Sequence, residues 1–173
     1  MRIGIIGPNK FESIAEVKNI THKEIESQLT KIASILAKGN YEILLTPDKN
    51  SLLSFFGKKY LEKGGKKILE IVPLEDQYKE YLDLSLGEIV SCSKWELQPS
   101  KFNKECDILL CLGYGGMTLA EIGFSKYYNP KKVLILKDFI SEKLPKEIEL
   151  HLNIDYTEIV NLNTKLKLAS DNK

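Results

Sequence analysis

The sequence predicts an α/β domain: a doubly wound, mostly parallel sheet with helices on both faces. Three observations carry that reading. Short apolar, β-branched runs recur along the 173 residues and alternate with segments of helical periodicity. Most of these runs are continuous rather than alternating, as in strands covered on both faces. Length and composition, with 43% hydrophobic and 28% charged residues, fit one folded domain with a sizeable core.

In chain order, strands are expected at residues 3–6, 41–45, 67–72, 88–92, 108–112, 133–136 and 157–160. A first helix places Ile25, Leu29, Ile32, Ala33 and Leu36 on one stripe, and Gly39 stops it. A second runs from Ser51 to Leu61 before Gly64-Gly65, a third from Thr118 to about Tyr128 before Asn129-Pro130, and a fourth from Ser141 to Leu152. Residues 75–86 follow neither period. The domain is read as residues 1–164, with 165–173 a frayed polar tail. In such sheets ligands bind beyond the carboxyl ends of the strands, near the point where strand order reverses.

A net charge of +1 and no basic stripe argue against nucleic acid as a partner. No apolar run reaches the ~20 residues of a membrane span, and no secretion signal opens the chain. Cys92, Cys106 and Cys111 lack paired spacing and read as reduced thiols. A cytoplasmic protein is expected. His22 and His151 are far apart and have no metal-ligand spacing, so no metal or cofactor is expected. Of the 25 basic residues only Arg2 is arginine, the usual residue for bidentate phosphate recognition.

One segment combines the features of an anion site. The strand at 108–112 runs into Gly113-Tyr114-Gly115-Gly116-Met117, and Thr118-Leu119-Ala120-Glu121 then opens a helix. Glycines let the main chain approach a ligand, and free amides at a helix start attract phosphate. Thr118-x-x-Glu121 also reads as a capping box, which needs no ligand.

Those nine residues resemble the G-G-x-G-T-x-x-E loop of the LOG family, also described as lysine decarboxylase-like. Gly57-Lys58-Lys59-Tyr60-Leu61-Glu62-Lys63-Gly64-Gly65, continuing to Pro73, resembles a second segment of that family, and Ile3-Gly4-Ile5-Ile6-Gly7 resembles its first strand. The resemblance implies a Rossmann-like domain, a homodimer, and binding of a nucleoside monophosphate whose N-glycosidic bond active members hydrolyse. On this resemblance Gly113, Tyr114, Gly115, Gly116, Met117 and Thr118 hold the phosphate end, and Glu121 faces the ribose. The sequence departs from the family at Met117, in residues 46–51, and in lacking the arginine of the active enzymes, where Ser93-Lys94-Trp95-Glu96-Leu97 stands. Lys94 or Lys101 supplies charge there without the planar fork. Glu121-Ile122-Gly123-Phe124 with Lys132-Val133-Leu134-Ile135 also resembles the nucleoside deoxyribosyltransferases, in which that glutamate is a nucleophile.

Three further residues carry two readings each. Asp48 either contacts a ribose or shapes the turn before a helix. Trp95 either stacks on a base or packs in a core or dimer interface. Tyr114 either touches ligand or packs. The expected function is binding of a small nucleotide-type ligand at residues 113–121. The alternatives are a glycosidic reaction at Glu121 and an interaction protein with a degenerate site.

Overall fold

The computed structural model describes residues 1–128 and 131–171; Asn129-Pro130, read above as a helix stop, and the last two residues lie outside them. Seven strands form one parallel sheet: β1 (Arg2–Ile6), β2 (Glu42–Leu45), β3 (Ile68–Val72), β4 (Glu88–Ser91), β5 (Ile108–Cys111), β6 (Val133–Leu136) and β7 (Ile154–Thr157). Their spatial order is β4-β3-β2-β1-β5-β6-β7, so the direction of winding reverses between β1 and β5. Successive side chains on a strand point to opposite faces, and two apolar cores result. One joins Ile3, Ile5, Ile43 and Leu110 to the helices α1 (Glu12–Lys18), α2 (His22–Lys38), α3 (Leu52–Glu62) and α7 (Leu162–Asp171). The other joins Ile6, Leu44, Leu109 and Ile135 to α4 (Gln98–Glu105) and α5 (Gly116–Phe124). This is the doubly wound α/β fold that the sequence predicts.

Local chemistry explains the helix ends. Thr21 and Glu24 form a true capping box at α2: the Thr21 hydroxyl accepts from the Glu24 amide, and the Glu24 carboxylate accepts from the Thr21 amide. Ser51 caps α3 by accepting from the Ser54 amide at 3.1 Å. Gly4 on β1 lets α4 approach the sheet, since a Cβ there would lie 2.6 Å from the Phe102 ring.

Three expectations are corrected. The last strand is Ile154–Thr157, three residues earlier than read, because Leu134 and Ile135 of β6 pair with Asp155 and Tyr156. The helix expected over 141–152 shrinks to α6 (Lys146–Glu149), since Pro145 keeps the residue before it out of helical conformation. The tail is not frayed through 171: α7 continues to Asp171, and Leu166 is fully buried in the first core. Residues 75–86 pack as a strap in which Leu82 bridges to Asp48 and Leu86 is buried. Buried Glu70 secures its end, accepting from the amides of Leu86 and Gly87 at 2.8 and 2.6 Å. Among the described residues no helix is long and apolar enough to cross a membrane.

Candidate functional site

Reversal of strand order forces the loops after β1 and β5 apart, and a cleft of about 420 Å³ opens there. The loop after β1 contributes Gly7, Pro8 and Asn9, and the stretch after β2 contributes Thr46, Asp48 and Leu53. Trp95 and Gln98 enter from the start of α4. Gly115, Gly116, Met117, Thr118 and Glu121 enter from the start of α5.

The glycine loop leads β5 into α5 as its chemistry suggests. Gly113 has φ of +113°, and a Cβ there would also crowd the Phe139 carbonyl oxygen at 3.2 Å, so the turn requires glycine. The helix begins at Gly116, two residues before the expected start, with Gly115 at its cap position and no side-chain cap. Its first backbone bond runs from the Leu119 amide to the Gly115 carbonyl at 3.0 Å. Among the described residues the amides of residues 116–118 thus head the helix without a side-chain partner.

This earlier start corrects the capping-box reading. Thr118 and Glu121 lie one turn apart inside the helix and face inward together. The Thr118 hydroxyl is buried, has no hydrogen-bond partner among the described residues, and would lie 3.4 Å from a Cβ at Gly115. Glu121 is 6% exposed, and its Oε1 accepts from Gln98 Nε2 at 2.8 Å. Gln98 Nε2 also donates to Thr46 Oγ1 at 2.8 Å, and that hydroxyl donates to the Ile71 carbonyl at 2.7 Å. Asn103 fastens the same turn, donating to the Glu121 carbonyl at 2.9 Å. Burial raises the Glu121 carboxyl to about 8, and the Gln98 bond only partly opposes this. At neutral pH Glu121 is therefore mostly an uncharged acid.

Asp48 lines the cleft and accepts from Asn9 Nδ2 at 2.5 Å, tying the β1 and β2 loops together. Burial raises its pKa, with the Asn9 bond opposing. Asp48 does not cap α3; that role is Ser51's. Tyr114 and Gly113 do not line the cleft. Tyr114 packs against the second core beside Tyr156, so it belongs to the packing reading. Trp95 does line the cleft, against the core reading.

Among the described residues no lysine or arginine lines the cleft. Arg2 lies at the opposite, amino end of β1, paired with Glu42 at 2.9 Å and Glu105 at 3.6 Å. Lys101 is paired with Glu105 at 2.8 Å, and Lys94 is exposed beside Trp95. Among the described residues no group of three His, Cys, Asp or Glu could hold a metal ion. Gln98 and Asn9 carry the site with Glu121 and Asp48, and no sequence motif marks either of them.

No protein-family model matches the chain, and no curated relative was found. Among solved structures, the Moco carrier protein from Chlamydomonas reinhardtii superposes with a TM-score of 0.71 at 14% identity, covering 99% of this chain and 98% of that one. The molybdenum cofactor binding protein from the phototrophic bacterium Rippkaea orientalis gives a TM-score of 0.71 at 15% identity, covering 96% and 94%. The structure of TM1055 gives 0.71 at 15%, covering 96% and 98%. At such identities the likeness establishes a shared fold.

Proposed function

We propose that this chain, which has the LOG-like Rossmann fold of the molybdenum cofactor carrier proteins, binds a small phosphorylated ligand of nucleotide size in the β1/β5 cleft and holds it without cleaving it. The observation that carries this is the start of α5. There an uncapped helix N-terminus, approached through glycines, opens on the cleft beside the unpartnered Thr118 hydroxyl. The two acids of the cleft agree with an anionic guest, because burial favours the uncharged form of each. A mostly protonated Glu121 tethered to Gln98 is a poor nucleophile at neutral pH.

The test is thermal unfolding with a panel of nucleoside and deoxynucleoside 5′-monophosphates, ribose 5-phosphate, and the molybdenum cofactor named for two structural neighbours. Each mixture is also assayed for free base. A phosphorylated member at a hundredfold excess over its Kd is expected to raise Tm by roughly 5–10 °C, with no base released. Absence of any shift across the panel overturns the proposal. A second reading, a glycosidic reaction at Glu121, rests on that carboxyl lining the cleft one turn from Thr118. Base release that disappears in Glu121→Gln would replace the first reading with the second.

The homodimer is part of the same proposal. It is supported by a surface groove lined by Phe124, Tyr127 and Ile148, of which Tyr127 is 69% exposed. Light scattering is expected to give twice the 19.7 kDa chain mass for the parent protein and a shift toward that of one chain for Phe124→Glu. A monomeric parent removes this element.

A further inference from the structure

Trp95 is the only tryptophan in the chain, and the fold does not use it as tryptophan is usually used. It belongs to neither apolar core. Among the described residues its indole has no hydrogen bond, and it is absent from the four aromatic pairs, which involve Phe11, His22, Phe55, Tyr78, Tyr81, Phe124 and Tyr127. Trp95 is half-buried and lines the cleft, whose lining also includes the apolar side chains of Pro8, Leu53 and Met117.

The backbone holds the indole there. Trp95 opens a single 3-10 turn that leads directly into α4, and the Gln98 amide donates back to the Trp95 carbonyl. Gln98 is in turn tied to Thr46 and Glu121. Just before the turn, Ser93 adopts a left-handed φ of 65°, a strained conformation for a residue with a side chain. Its carbonyl accepts from the Glu75 amide at 2.9 Å, so the strap over residues 75–86 fixes the bend that delivers Trp95 to the cleft.

We propose that Trp95 is the platform on which a planar heteroaromatic ring of the ligand stacks, so that the site selects phosphorylated heterocycles over sugar phosphates of equal charge. This rests on the binding function proposed above. Without a lysine or arginine in the lining, the phosphate gains at most about thirtyfold in affinity from the helix terminus. Useful binding therefore needs a second contribution. An indole with no aromatic partner among the described residues, in a cleft with further apolar lining, supplies one that every flat ring can use.

The experiment follows Trp95 emission, the only tryptophan signal, while the four nucleoside 5′-monophosphates and ribose 5-phosphate are titrated separately. A nucleotide is expected to quench the emission and to bind roughly 5- to 100-fold tighter than ribose 5-phosphate. Trp95→Ala, assayed by calorimetry after its fold is checked by circular dichroism, is expected to lose that preference, its nucleotide affinity falling far more than its ribose 5-phosphate affinity. Trp95→Phe is expected to keep most of the preference. Equal affinities of the parent protein for nucleotides and ribose 5-phosphate overturn the stacking role and leave the binding function standing. So does an equal loss for both ligands in Trp95→Ala, the mark of a structural role. If nothing in this panel binds the parent protein the stacking role falls, and the binding function falls with it when the wider thermal panel also shows no shift.

Discussion

Glu121→Gln is expected to stabilise the protein above pH 7, and the gain is expected to grow with pH between about 4.5 and 8. The sign follows from proton linkage. Burial raises the folded-state pKa of Glu121 from 4.5 to about 8, so between those values the folded protein retains a proton that the unfolded chain has released. Stability from this group is therefore greatest below 4.5, falls through the window, and stays flat above 8. The ceiling is on the order of 3–5 kcal/mol, and relaxation around the buried group will lower it. Glutamine keeps the acceptor for Gln98 and removes the titration. Denaturant unfolding of both proteins at pH 5, 7 and 9 measures the effect. A constant difference across the three would show that Glu121 does not titrate in this window.

Other groups shape the parent curve without mimicking that difference. Glu70 and Asp48 are raised in the same direction by burial, whereas Asp83, Asp155 and Glu105 are lowered despite partial burial by hydrogen bonds and lysine neighbours. The lowered group loses its stabilising contribution as pH falls, so acid destabilises through these carboxylates while alkali destabilises through Glu121. Ligand binding should follow the same titration. An ionised Glu121 beside a phosphate is a repulsion that the acid form avoids, so affinity is expected to decline above pH 8 in the parent protein and not in Glu121→Gln.

The interior of the sheet was legible because strands buried on both faces read as unbroken apolar runs, as Ile108 to Cys111 and Val133 to Leu136 do. The edge was not: β7 has only Thr157 fully buried, so its boundary slid toward Val160, which is 80% exposed. Helix α4 leaves no helical stripe in the sequence because Phe102 is its one large apolar anchor. The glycine loop was legible from turn chemistry alone, but its polar partners were not. Gln98 meets Glu121 across 23 residues and Thr46 across 52, and only tertiary closure brings them together. Of the two readings of Thr118 and Glu121, ligand contact and a capping box, the start of α5 at Gly116 removes the second, because it places both residues inside the helix and facing inward.

Gly116→Asp is expected to move stability and binding in opposite directions. Gly116 is the first residue of α5, it is exposed, and a Cβ added there meets nothing within 4 Å. Replacing a helical glycine gains roughly 0.5–1 kcal/mol, and a carboxylate in the first turn adds about 0.3–1 kcal/mol through the helix dipole. For a chain of this length the sum corresponds to a Tm increase of roughly 2–8 °C. The same carboxylate occupies the place proposed for the phosphate and opposes its charge, so affinity for any phosphorylated ligand is expected to fall by about a hundredfold. Gly116→Ala separates the two effects: it keeps the conformational gain, adds no charge, and is expected to retain most of the binding. A site kept glycine-rich for a ligand holds its helix terminus open at the expense of local stability. Gly116→Asp binding as tightly as Gly116→Ala would remove the anion from that terminus and leave α5 with an uncapped end for which the fold itself supplies no reason.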